Sequence, residues 1–147
     1  MGDCMNNNIR TFSEYLEKED IAGRVLEEDN LTMFVFNADI ESGPTAKMVV
    51  FFPHDSSIPD WLVKIEAFDY VKIDDPEKRE NILEKLNELN NKSVFEKFVL
   101  LNDGSVIIKM NYTYYGNFNP DQLTGMLFHL DDVLRDEYSG FMKLIWG

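Results

Sequence analysis

The sequence predicts a single-domain α+β fold in the order helix, three strands, helix, two strands, helix. Three observations carry this. Apolar residues recur at helical spacing in three separated stretches, around residues 11–20, 75–91 and 119–146. Strand-like apolar runs lie between those stretches in groups, rather than each being followed by a helix, which points to a mostly antiparallel sheet. The stretch "NELNNKSVFEKFVLLNDGSVIIK" (87–109) passes from leucine spacing through paired asparagines to an Asp-Gly turn between two apolar strands.

The first helix is expected in "TFSEYLEKED", where Thr11 and Glu14 have capping-box spacing and Phe12, Tyr15 and Leu16 share one face. Gly23 and the acidic run Glu27-Glu28-Asp29 break the pattern. "TMFVFNADI" and "KMVVFF" follow, apolar on both faces as strands covered on both sides would be, with the turn "SGPT" between them. Pro53 ends the second strand and "PHDSSIP" is a loop. "WLVKIEAF" is the third strand, with "DYVKI" extending it directly or after a bulge.

Asp75 and Pro76 are an N-cap and first-turn proline for the middle helix. Its buried stripe is expected to be Ile82, Leu83, Leu86 and Leu89, and Asn90-Asn91 suit its C-terminal end. After the hairpin, Val106, Ile108, Met110, Tyr112 and Tyr114 alternate with Lys109, Asn111 and Thr113, so one face is buried and one is wet. Asn119, Pro120 and Gln122 start the last helix. Its apolar spacing from Leu123 to Ile145 makes roughly 40 Å of helix, enough to cross the sheet. Residues 1–10 are expected to be a flexible N-terminus and 11–147 the domain.

Composition narrows the function. With 147 residues, 44% hydrophobic and 13% aromatic, the chain can build a core of its own. A net charge of −13 argues against nucleic acid, which needs a basic face, and against anionic membranes. It suits a cytoplasmic protein or one with a basic partner. Cys4 is the sole cysteine, so no internal disulfide is expected. "MGDCMNNNIR" lacks the apolar core of a signal peptide, no run reaches membrane-spanning length, and Asn6 stands where myristoylation wants Ser or Thr.

Candidate chemistry is thin. His129 with Asp132 and Asp136 lies along one side of the last helix, but no second histidine sits at ligand spacing, so neither metal nor cofactor is expected. His54 could pair with Asp55 and with Ser56 or Ser57, yet a triad is defined by geometry and not adjacency. Asp74-Asp75 and Asp131-Asp132 lack any calcium-loop spacing, and Asp75 already has a capping task. The speculative protein-contact residues are Tyr112, Tyr114, Tyr115 and Phe118, because tyrosine tolerates both burial and water, together with Asn87. A hydrogen bond to the following strand's backbone or a partner's is the alternative for Asn90, which is read first as a helix-end residue. Asn87 is too early for that, and stays open between a local bond and one to the next strand or a partner.

The element order, the block "LNELNNKSVFEKFVLLNDGSVIIK" and the ending "DEYSGFMKLIWG" resemble the YbjN family of bacterial sensory-transduction-regulator-like proteins. The resemblance spans Phe12 to Trp146. It implies a fold similar to type III secretion chaperones, which are small, acidic, usually dimeric and cytoplasmic, and it carries over no catalytic residue. The expectation is therefore a non-enzymatic, chaperone-like or regulatory module, a homodimer that holds a protein segment. Two rivals are an enzyme with an acidic site near His54, Asp74 and Asp75, and an acidic immunity-type inhibitor of a basic toxin.

Overall fold

The computed structural model describes residues 7–53 and 61–147. Helix α1 (Asn7–Lys18) leads into strands β1 (Arg24–Glu28), β2 (Leu31–Asp39), β3 (Thr45–Pro53) and β4 (Leu62–Lys72). A 3-10 turn (Pro76–Lys78) opens α2 (Arg79–Lys92); β5 (Lys97–Leu100), β6 (Ser105–Thr113) and α3 (Pro120–Trp146) complete the chain. The six strands form one antiparallel sheet in the order β1-β2-β3-β4-β6-β5. The α+β class and the sequence of elements are as the sequence predicts, with one strand added: β1, joined to β2 by the turn Asp29-Asn30. All five of its residues are exposed, so it carries no apolar alternation to announce it.

The helices pack on one face of the sheet. Phe34, Phe36, Val50, Phe52, Val63, Ile65, Phe98, Ile108, Met110 and Tyr112 meet Phe12, Leu16, Ile82, Leu86, Leu89, Leu123, Leu130, Leu134 and Phe141 in one core. Phe12 is its aromatic hub, edge-on to Phe34 at 4.9 Å and tilted against Phe52 at 5.8 Å. Such ring pairs add about 0.5–1.5 kcal/mol beyond burial alone.

The expectation that β2 and β3 are covered on both sides is corrected. Val35, Val49 and Ile107 are buried but fall outside that core, on the opposite face of the sheet, and among the described residues no helix lies over them. They are hidden by neighbouring side chains of the same open face, which is why the strands read as apolar throughout.

Other local expectations shift. The helix is already formed at Asn7, so Thr11 is interior and its hydroxyl donates to the Asn7 carbonyl at 2.9 Å. The helix ends with Asp20 at φ 55°, one of the few residue types that tolerate the left-handed region. Leu83 is 47% exposed and leaves the stripe to Ile82, Leu86 and Leu89. The alternative of a bulge in the third predicted strand holds: the β4–β6 register shifts between Ala67 and Val71, where Asp69 has φ 58°. Asp75 caps as expected, its carboxylate accepting from Glu77 N–H at 3.0 Å. The loop "PHDSSIP", with His54, Asp55, Ser56 and Ser57, lies outside the described residues except for Pro53, as does Cys4.

Candidate protein-contact surfaces

The predicted tyrosine cluster divides. Tyr112 is buried, and its hydroxyl lies 3.1 Å from the Asn119 N–H that donates to it and 3.4 Å from Gln122 Oε1. It therefore performs half of the task that capping-box spacing gives to Gln122, while Asn119 Oδ1 accepts from Asp121 and Gln122 N–H groups. Tyr114 stacks on Tyr112 and accepts a hydrogen bond from the Asn8 carboxamide. Phe118 sits edge-on to Phe12, Phe52, Tyr112 and Tyr114. These three rings fasten α1 and the start of α3 to the sheet.

Tyr115 stands apart from them. Past the end of β6 it is fully exposed, and with Trp61 (53% exposed), Thr113, Tyr114 and Gly116 it lines an open cleft of about 670 Å³. The strands meet there through Tyr114 N–H donating to the Trp61 carbonyl at 3.2 Å. Trp61 was missed from sequence because it was absorbed into a strand; its exposure follows from lying one residue before β4.

The asparagines also part ways. Asn87 is exposed on α2. Asn90 is not the helix end, which falls at Ser93, whose N–H and hydroxyl both donate to the Leu89 carbonyl. Instead the Asn90 side chain accepts from Phe98 N–H at 2.7 Å and donates to the Phe98 carbonyl at 3.0 Å. It imitates a neighbouring strand at the outer edge of β5.

His129 pairs with Glu96 at 2.8 Å rather than with Asp132 or Asp136, and its ring meets Phe95 edge-on. Val94 and Phe95 stay exposed beside it, at the mouth of a groove of about 290 Å³ between α2 and α3. Asp74 and Asp75 border a shallow hollow with Arg79, Asn102, Asp103 and Gly104. His54, the third residue of that rival site, lies outside the described residues. Among the described residues no three His, Cys, Asp or Glu side chains gather as a metal site would require, and no helix is long and apolar enough to cross a membrane.

The open face of the sheet has a charge unlike the rest of the chain. By register it carries Arg24, Lys47, Lys64, Lys72, Lys97 and Lys109, six of the chain's 14 basic residues. Against them it has Glu28, Asp39 and Glu66, three of 27 acidic ones. None of the six forms an ion pair among the described residues. Lys109 lies between Lys97 on β5, a like-charge pairing that costs stability, and Glu66 on β4, directly opposite on its other side. Between the charges lie half-buried Met33, Phe51 and Phe68, with the rings of Phe51 and Phe68 edge-on at 6.4 Å. The sequence hides this surface because period-2 alternation shows it only after strand order is known.

The family model YbjN, described as "Putative bacterial sensory transduction regulator", matches residues 56–132, just over half of the chain. No curated protein matches it.

Proposed function

The chain belongs to the YbjN family, and from that premise we propose a non-enzymatic, cytoplasmic regulatory module, chaperone-like in action. It works as a homodimer and holds an extended segment of another protein against the open face of the sheet. The family's description is that of a regulator and names no reaction.

The observation that supports this reading is the combination of Met33, Phe51 and Phe68 with six basic side chains on a sheet face that no helix among the described residues covers. A segment that alternates apolar and acidic residues satisfies both. Its side chains repeat at the period of the strands, and its carboxylates relieve the Lys97–Lys109 repulsion. A uniform polyanion fits less well, because it leaves the apolar rows bare and meets the field of a chain with net charge −13. Trp61 and Tyr115 line a separate cleft at the ends of β4 and β6.

The test uses a labelled peptide of alternating Leu and Glu, with a Leu-Lys peptide, a single-stranded oligonucleotide and anionic vesicles as comparisons. The expected result is salt-sensitive binding of the acidic peptide alone, with amide shifts mapping to Met33, Phe51, Phe68 and Lys109. Lys64→Glu with Lys109→Glu should abolish it. Preference for the basic peptide, the oligonucleotide or the vesicles would overturn the reading.

A further inference from the structure

The two edges of the sheet are not alike. At β5 the Asn90 carboxamide already occupies the outward N–H and C=O of Phe98. At the other end, among the described residues β1 pairs only with β2, and its five residues are exposed, including Val25 at 47% and Leu26 at 40%. An exposed edge strand is a template for another strand.

We infer that the free edge of β1 is the seam of the homodimer, paired antiparallel with β1 of a second copy about a twofold axis at Leu26. This rests on the homodimer reading above and names the surface responsible. The occupant is a second copy because the strand is complementary to itself. In "RVLEE", a twofold at Leu26 sets Arg24 opposite Glu28 of the other copy, and Glu28 opposite its Arg24. Leu26 faces its own symmetry mate between them. Arg24, Leu26 and Glu28 share the open face, so two ion pairs flank one apolar contact on the same side. Cross-strand pairs of opposite charge are favourable and like ones are not, and an isologous contact of this kind closes at two copies. The other register neighbours, Val25 and Glu27, set no like charges together. Joining the edges also makes the two open faces continuous, with Leu26 and Met33 of each copy side by side.

The full chain is measured by light scattering and sedimentation over a concentration series. The wild type should have twice the 17.1 kDa chain mass. Arg24→Glu alone, or Glu28→Arg alone, places like charges at both ends of the seam and should raise the dimer dissociation constant at least about tenfold. Arg24→Glu combined with Glu28→Arg restores the complementarity and should recover most of the affinity. As both positions are exposed, circular dichroism should show all three variants folded. Leu26→Cys in a Cys4→Ser background should oxidise to a covalent dimer, since directly opposed residues lie about 4.5–5.5 Å apart between Cα atoms, within disulfide reach. A dimer indifferent to all these charges, with no cross-link at position 26, would overturn the seam and leave the homodimer standing. A wild type of single-chain mass at every concentration would overturn both, while peptide binding to the open face would remain a separate result.

Discussion

The Asn90 carboxamide grips the backbone of Phe98 from both sides, with its oxygen 2.7 Å from the Phe98 nitrogen and its nitrogen 3.0 Å from the Phe98 carbonyl oxygen. A short strand of four residues, Lys97–Leu100, is thereby tied to the helix that precedes it. The core ring of Phe98, packed against Phe141, is fixed with it.

Asn90→Ala removes both bonds at once and leaves two backbone groups to find water or a foreign strand. Stability should fall by about 1–3 kcal/mol, measured by urea unfolding. Asn90→Asp keeps the acceptor but not the donor, so its loss should be smaller. Both variants reopen the β5 edge, and slow aggregation at high concentration should accompany the loss. A neutral Asn90→Ala would show that the bond pair has no energetic role.

Gly104 closes the β5–β6 hairpin at φ +93°, its N–H donating to Leu101 and its carbonyl accepting from Ile73. A Cβ there would lie 2.1 Å from the Ile73 carbonyl oxygen. Gly104→Ala therefore meets both a strained backbone and a collision with main chain, which cannot swing aside. The expected cost is at least about 2 kcal/mol, read as a lower denaturant midpoint. A change below 0.5 kcal/mol, the ordinary range for surface substitutions, would contradict the geometry.

In the same turn, the Asp103 carboxylate accepts from Ser105 N–H at 2.9 Å, and that bond holds its pKa below the usual value of 3.8, with Lys72 adding to the effect. A carboxyl depressed in the folded state contributes stability above its unfolded pKa and loses it as pH falls through the folded one. Asp103→Asn should melt at lower temperature than the wild type near neutral pH. The gap should narrow below pH 3.8 and close once both states of the wild type are protonated. A gap that is constant across this window would mean that the carboxylate charge is not responsible.

What was legible in the sequence was whatever one element decides for itself. The Asp75-Pro76 start, the Asn119-Pro120 start, the Asp-Gly hairpin and the alternation from Val106 to Tyr112 all follow from local backbone chemistry. What required the fold depends on neighbours. Strand β1 lacks an apolar face because it sits at an edge. Val35 and Val49 read as doubly covered because flanking side chains bury them. For Asn90 the local pattern favours a helix terminus, and the alternative of a bond to the following strand is the one that holds, because its partner lies across a loop. The candidate surface was the least legible part, since Lys64, Lys97 and Lys109 come together only through strand order.

Tyr115 and Phe118, three residues apart, should respond in opposite ways to the same change. Phe118 touches four other rings, so Phe118→Ser removes packing that α1 and the start of α3 share, and should cost roughly 3 kcal/mol or more. Tyr115 is fully exposed, and Tyr115→Ser should leave unfolding within about 0.5 kcal/mol of the wild type. Its effect belongs to capture of the held segment: with Trp61 it offers exposed aromatic area in the cleft at the ends of β4 and β6, so the acidic peptide should bind the variant more weakly. Urea unfolding run beside the peptide titration separates the two roles. A large loss of stability with unchanged peptide affinity would place Tyr115 in the packing and remove it from the contact surface.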